Sequence, residues 1–520
     1  MKNAIGVEIP EYIEGLGKLE PFQGVWKSII EDEVPSTNIS RTLKAKKPHV
    51  SKLCKNLEEA IKRCNPFNGM TVTCHHHLRG GDGVLMQTIK ILDEMGIKDI
   101  TLASSSLTSA HDGLVSYVEK GMITRIFTSG IRGALGDTIS VGKLKYPAII
   151  HSHGGRVRDF LTGRIKPDLS VLAASSADEE GNATGAHGPS AFGSMGYADI
   201  DARYSRNVII VTDNLVEYPC VPSTIRQHFI DYVVKVDSIG DATKIASGTT
   251  RITNSPMDLR IARIAATVIE HSGLFKNGMS FQVGAGGASL AVAKFLREDM
   301  KRKGIIGSFM IGGVTSYGVD MLNEGLFHSI FDVQSFDAAV STSVLNNPNH
   351  IEISCDQYAN PNNCGSMTNK LDVVVLGALE VDVDFNVNVI TGASGEIRGA
   401  SGGHSDTASG ANLTVVVCPA FRGRLPIVKD RVHTVVTPGE SVDVIVTERG
   451  VCVNPSKPNL AAALKKAGLN VVDIRDLKEE VEGMTGVPAE KQLGDKIVAL
   501  VEYRDGTIID VIYNVENLSQ

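Results

Sequence analysis

The 520-residue sequence predicts a duplicated α/β protein built on mostly parallel sheets. Three observations carry that prediction. Gly69-Met70 leads into an apolar run and the loop His75-His76-His77-Leu78-Arg79-Gly80-Gly81-Asp82, while Gly278-Met279, 209 positions on, leads into Phe281-Gln282-Val283 and Gly284-Ala285-Gly286-Gly287-Ala288. A second pair, opening Asp168-Leu169-Ser170-Val171-Leu172 and Asp372-Val373-Val374-Val375-Leu376, recurs at an offset of 204. Two landmarks at nearly one offset point to a unit written twice. Third, apolar runs of strand length alternate with amphipathic stretches, the pattern of a parallel sheet covered on both faces. A duplicated domain is expected to hold its site in the cleft between the copies.

The elements follow in order. Residues 1–45 are mixed and proline-punctuated, an N-terminal extension that wraps over the first domain or meets a partner. Residues 53–63 read as a short helix ended by Cys64-Asn65-Pro66. The first domain, 46–250, has strands over 70–74, 99–103, 123–127, 148–151, 169–173 and 207–211. Its helices fall over 84–95, 109–119 and beyond Gly154. A helix over 259–269 enters the second domain, 251–455. Strands there fall over 279–283, 308–311, 329–333, 351–354, 373–376, 387–390, 413–418, 432–436 and 442–447. The tail, 456–520, carries a helix over 459–467 and a C-terminal hairpin turned at Asp505-Gly506.

Composition narrows the function. The 52 glycines gather in clusters instead of a repeat, which means tight turns and close ligand approach, not a fibre. A net charge of −7 argues against a nucleic-acid partner, since phosphate binding needs a concentrated basic face. The compact basic run Lys44-Ala45-Lys46-Lys47-Pro48-His49 reads as a solvated segment. None of the eight cysteines is spaced as a zinc knuckle or redox dithiol, and Cys74, Cys418 and Cys452 sit in apolar strand patterns as small buried hydrophobes. With no signal peptide and no membrane span, a reducing cytoplasm is the expected location.

Three loops carry candidate chemistry. Gly284-Ala285-Gly286-Gly287 follows a strand and opens a helix, so its backbone N–H groups can face an anion or thioester-bearing ligand. It lacks dinucleotide and nucleotidase spacing, and a tightly packed helix start is the alternative. The stretch Thr391-Gly392-Ala393-Ser394-Gly395-Glu396-Ile397-Arg398, continuing to Ala411, holds too many glycines to build core. The Gly402 and Gly403 amides can stabilise an oxyanion, Arg398 can hold a carboxylate, and His404 and Asp406 can orient it. A surface pair between Glu396 and Arg398 is the bland alternative. In the first half, one of three successive histidines, His76, is expected to face the ligand, because neighbours on a strand cannot share a face. The arrangement therefore argues against a metal. Arg79, Arg132, Arg156 and Arg158 follow strand ends, where open α/β sheets bind ligands. They form a cationic set for a polycarboxylate, of which fewer than half are expected to touch it.

The motifs Cys74-His75-His76-His77-Leu78-Arg79-Gly80-Gly81-Asp82, Ser152-His153-Gly154-Gly155-Arg156 and Phe281-Gln282-Val283-Gly284-Ala285-Gly286-Gly287-Ala288 carry a resemblance. Ala177-Asp178-Glu179-Glu180-Gly181-Asn182-Ala183-Thr184-Gly185, Gly399-Ala400-Ser401-Gly402-Gly403-His404-Ser405-Asp406 and Val501-Glu502-Tyr503-Arg504-Asp505-Gly506-Thr507 extend it. Over almost its full length the chain resembles the alpha subunits of bacterial citrate lyase, within the wider coenzyme A transferases. Citramalate lyase alpha subunits are near relatives of that family.

The resemblance implies a cytoplasmic citrate:acyl-carrier-protein transferase, with acetyl-carrier and citrate giving citryl-carrier and acetate. It implies a lyase complex of citrate fermentation with a beta (lyase) subunit, a gamma (acyl carrier protein) subunit and a homo-oligomeric core. No cofactor would be held covalently. The thioester would sit on the carrier's phosphoribosyl-dephospho-coenzyme A arm, with acetyl-CoA as a surrogate. A non-catalytic scaffold is the alternative from another class. Many of the wider transferases use a glutamate nucleophile; the corresponding segment here reads Thr315-Ser316-Tyr317, and Glu324 falls further on. The missing nucleophile favours a mixed anhydride over a glutamyl thioester.

Overall fold

The chain is described from a computed structural model over residues 1–23, 50–246, 252–284, 286–487 and 493–516. Most of the expected N-terminal extension, with the basic run at 44–49, lies outside the described residues. Within 1–23 a small hairpin pairs Tyr12–Ile13 with Gly17–Lys18.

Leu53–Cys54 (β1) and the helix Leu57–Arg63 precede the first repeat. That repeat supplies Thr71–Thr73 (β2), Ile100–Leu102 (β3), Ile123–Thr128 (β4), Ala148–Ile150 (β5), Leu169–Ala174 (β6), Asn207–Thr212 (β7) and Tyr232–Lys235 (β8). These lie in the order β5-β4-β3-β2-β6-β7-β8, every neighbouring pair parallel. The second repeat supplies Phe281–Val283 (β9), Gly307–Val314 (β10), Phe327–Ser335 (β11), His350–Glu352 (β12), Val373–Gly377 (β13), Leu413–Val417 (β14) and Val444–Val446 (β15). Their order is β12-β11-β10-β9-β13-β14-β15, again parallel throughout. The two sheets thus share one topology. Antiparallel edges make both mixed: Val451–Val453 (β16) on β15, and the hairpin of Leu493–Glu502 (β17) and Ile508–Val515 (β18) on the first sheet.

The duplication reaches individual hydrogen bonds. Asp168 Oδ2 accepts from the Thr71 amide at 2.8 Å, and Asp372 Oδ2 from the Ser280 amide at 2.9 Å. Asp178 and Asp382 each accept from the amide of the asparagine four residues on, at 3.0 and 2.9 Å. Central strands such as β6 are buried along their whole length, as the apolar runs require. Each fully buried Val, Leu or Ile there contributes on the order of 1.5–3 kcal/mol. A separate apolar cluster joins the halves, with Val157, Phe160 and Tyr197 packed among residues including Ile311, Val333 and Tyr358.

Some expectations need correction. The hairpin is not a free tail: Ala499, Leu500 and Val501 pair with Ala148, Ile149 and Ile150, extending the first sheet. Residues 432–436 form no strand, because side chains claim their backbone: the Val432 amide donates to Asp382 Oδ2 and the Val435 amide to Asp510 Oδ2. The helix expected over 53–63 starts only at Leu57, after Asn56 caps the Glu59 amide, and its first two residues pair with β8. Gly113 separates a single turn, Ser109–His111, from the helix Leu114–Glu119. Strand β8 and the helix Ile474–Thr485 were not expected.

Candidate active site

A cavity of about 330 Å³ opens between the repeats, at the carboxyl ends of strands from both sheets. The first repeat walls it with loops after β2, β3 and β4. The second contributes the loops after β9, β11 and β13 and the glycine stretch at 400–404. Those walls are pinned together. The Ile131 amide donates to Gly399 O at 3.1 Å, the Gly402 amide to Ser129 O at 3.2 Å, and the His153 amide to Gly402 O at 2.8 Å.

The three histidines, which follow the end of β2 at Thr73, divide between two sides. His75 Nε2 donates to Ala173 O and His77 Nε2 to Ile239 O, each at 3.0 Å, and both rings pack on Phe192, away from the cavity. His76 turns to the other side and lines the cavity. Its Nε2 donates to Gln334 Oε1 at 2.9 Å, so Nδ1 accepts from Ser105 Oγ at 2.6 Å. Burial, with His153 and Arg79 nearby, holds its pKa well below the ordinary range, so the ring is neutral. No group of three or more metal-ligating side chains lies together among the described residues.

Of the five predicted arginines, the structure brings Arg79 and Arg132 to the cavity. Arg79 sits at φ +55°, a left-handed conformation uncommon for this residue type, with its guanidinium 4.3 Å from the Phe336 ring centre. Its Nη1 is buried with no hydrogen-bond partner. Burial lowers its pKa to about 10, with Arg132 adding repulsion, and it stays charged. Among the described residues neither Arg79 nor Arg132 has an ion-pair partner, and no carboxylate lines the cavity. Two uncompensated cations facing a space without anions make a site for a polyanion.

Arg156 and Arg398 stand elsewhere. Arg156 is buried, pairing with Asp201 at 2.6 Å and donating to Ala103 O at 3.2 Å, a structural post of the first domain. Arg398 pairs with Asp137 at 2.6 Å and lies 3.6 Å from Glu396, on the outer side of its loop. Arg158 likewise pairs with Asp159 and Glu502.

The glycine loops keep their places. Gly284 and Gly286 line the cavity, and Gly287 begins the helix Gly287–Lys303, whose first N–H groups have no intrahelical acceptor. Ala285 lies outside the described residues. Gly402 (φ +53°) and Gly403 line the opposite wall. The Gly402 amide is already committed to Ser129 O, so it is not an oxyanion donor. His404 is also fully engaged, with Nε2 donating to Gly377 O at 3.0 Å and Nδ1 accepting from Thr437 at 2.7 Å; burial lowers its pKa to about 4. Asp406 lies behind the wall. It accepts from Ser152 Oγ and the Gly154 amide at 2.8 and 2.9 Å, with Arg504 of the closing hairpin 3.5 Å away. It holds the loop, and burial pushes its pKa up to about 6.

Sequence reading missed His153, Tyr197, Gln282, Gln334 and Tyr358 as wall residues. His153 opens the helix His153–Leu161, with its ring 4.5 Å from that of Tyr197; burial takes its pKa down to about 3. Single polar residues at the ends of strands were the only signal for Gln282 and Gln334.

The model of the family "Citrate lyase, alpha subunit (CitF)" matches residues 50–515. The chain belongs to the citrate lyase alpha subunit family. It is 49% identical to the citrate lyase alpha chain of Klebsiella pneumoniae over 466 residues, covering 90% of this chain and 92% of that one. A Streptococcus mutans structure, described as a citrate lyase alpha subunit in complex with citrate, is 48% identical, with a TM-score of 0.90 over 92% of this chain and 94% of that one. A malonate decarboxylase alpha subunit from Acinetobacter baumannii shares the fold at 15% identity, with a TM-score of 0.62 over 84% and 93% of the two chains. The chain is therefore an enzyme of the coenzyme A transferase superfamily, and acyl transfer is its general activity. Among the described residues no helix is long and apolar enough to cross a membrane.

Glu324, the nearest glutamate in sequence to Thr315-Ser316-Tyr317, ion-pairs with Arg297 and with Lys301 on the protein's outer side. His76 and His404 spend both ring nitrogens on protein partners. The cavity thus offers cations, amides and hydroxyls, and no carboxylate nucleophile among its described walls.

Proposed function

We propose that this subunit exchanges acetate for citrate on a carrier-protein thioester, by way of a mixed anhydride. The observation that carries the reading is the pair of free guanidiniums, Arg79 and Arg132, in a cavity lined by no acidic side chain. One citrate carboxylate oxygen attacks the acetyl carbonyl, forming a C–O bond and a tetrahedral oxyanion. Its collapse breaks the C–S bond and releases the thiolate, leaving acetyl-citryl anhydride. The same thiolate then attacks the citryl carbonyl, and breaking the remaining C–O bond frees acetate. No net proton moves, which suits walls whose histidines are held neutral. Catalysis then rests on proximity and on stabilising two successive oxyanions.

In this reading Arg79 and Arg132 hold the acid. The loop around Gly284, Gly286 and Gly287 receives the phosphoribosyl-dephospho-coenzyme A arm, and Gly403 keeps space for the reacting carbonyl. The cleft is the active site of two α/β domains, 46–250 and 251–455. A beta lyase subunit and a gamma carrier are the expected partners in the cytoplasm. The citrate in the Streptococcus mutans relative supports the choice of acid. Purified chain given acetyl-CoA and citrate should release acetate, and should do so after thorough chelation. Preference for citramalate would move the assignment to the sister family, and no exchange with any di- or tricarboxylate would remove it.

A further inference from the structure

We propose that Tyr358 is a catalytic residue, its hydroxyl donating a hydrogen bond to the oxyanion of acyl transfer, with Gln282 as its positioning residue. The inference rests on the acyl-exchange reading and identifies a donor that reading lacks, since the Gly402 amide is already spent on Ser129.

Tyr358 lies on the short helix Cys355–Ala359 after β12. Ser354 begins it, accepting from the Gln357 amide while the Gln357 side chain returns to the Ser354 amide. This double cap fixes the turn that carries the tyrosine. Cys355 Sγ reaches His153 O at 3.4 Å, which ties the helix to the first repeat and aims Tyr358 into the cavity between the two.

There the phenol oxygen accepts from Gln282 Nε2 at 2.8 Å. Its own proton has no protein acceptor among the described residues. A hydroxyl that accepts one hydrogen bond is a better donor in the next. Gly403 leaves the room beside it: a methyl group there would come within 2.6 Å of the phenol oxygen. Burial pushes the phenol pKa far above neutrality, so the proton is present throughout the working range. In the step itself the carboxylate–carbon bond forms and the carbonyl electron pair moves to oxygen. Tyr358 donates a hydrogen bond to that oxygen and keeps its proton, and the pair returns when the C–S bond breaks.

The test is steady-state acyl exchange by the full chain with acetyl-CoA and citrate. Tyr358→Phe removes one oxygen and should lower kcat by about 10²–10³-fold, the usual cost of an oxyanion donor. KM for citrate should stay within about threefold and the unfolding midpoint should not move. Fluorotyrosines at position 358 should give turnover that tracks phenol acidity, which a packing role would not do. Gln282→Glu should also depress kcat, because the carboxylate would accept the phenol's hydrogen bond in place of the oxyanion. Wild-type turnover in Tyr358→Phe, or no dependence on phenol acidity, would overturn the proposal while the parent's exchange leaves the functional reading standing. A parent inert toward every acid would bring down that reading, and this inference with it.

Discussion

After β2 the chain sets His76 and Arg79 against the cavity, and after β9, at the same point of the other sheet, it sets Gly284 and Gly286. The two loops have one topological origin and opposite character. The first offers a fixed cation and a neutral ring locked between Ser105 and Gln334. The second offers backbone and space at the start of the helix Gly287–Lys303. Duplication supplied two equivalent strand ends facing each other. The copies have since diverged, one keeping charge at its strand end and the other open backbone; in the proposed reaction the first would hold the acid and the second would receive the thioester.

That contrast also separates arginines paired within the fold from those that line the cavity and are proposed to hold the acid. The largest effect should come from Arg156→Ala. Removing one partner of the buried Arg156–Asp201 pair strands a carboxylate in the core. The expected loss is about 3–5 kcal/mol in chemical denaturation, with citrate KM unchanged in the folded protein. Arg79→Ala should reverse the pattern: stability nearly preserved, and kcat/KM for the acid lowered by roughly 2–4 kcal/mol. Arg79→Lys should recover little, since an ammonium lacks the two-pronged fork. Equal effects of the two alanine variants on KM would erase the distinction.

Gly403→Ala comes next. Its methyl would press on the Tyr358 hydroxyl at 2.6 Å and should reduce kcat about tenfold or more in the exchange assay, with a smaller change in KM. Asp406 gives a pH signature. Its pKa stands at about 6 in the fold against an ordinary 3.8, so the protein prefers it protonated. Stability from this group is therefore fully present below the ordinary value and is lost as pH rises through about 6. Melting curves between these limits should show the wild-type midpoint falling relative to that of Asp406→Asn. Arg398→Ala should do least. Its exposed pair with Asp137 is worth about 0–1 kcal/mol, and acid KM should not change.

The sequence made the repeat legible because both strand ends kept short, unusual motifs in one register, and Asp168 and Asp372 still make the same backbone bond. His76, Arg79, Arg132 and the glycine loops were legible because they follow strands directly. Arg156 and Arg398 look identical to them in sequence; only the positions of Asp201 and Asp137, distant along the chain, decide that they are already paired. Tyr358 and Gln282 were hidden for a similar reason, since a lone Tyr in the polar run Asp356-Gln357-Tyr358-Ala359-Asn360, or a lone Gln between Phe281 and Val283, carries no pattern until the repeats close on each other. The hairpin's place was equally invisible: its turn is local, but its pairing with β5 spans most of the chain.

In the proposed reaction the acid attacks the thioester directly, with no enzyme carboxylate between them. A single turnover with excess enzyme, acetyl-CoA and heavy-oxygen-labelled citrate tests it most directly. Direct attack passes one citrate oxygen through the anhydride, so the released acetate should carry one heavy oxygen. Unlabelled acetate in that first turnover would mean that an enzyme carboxylate supplied the oxygen, and would contradict the account.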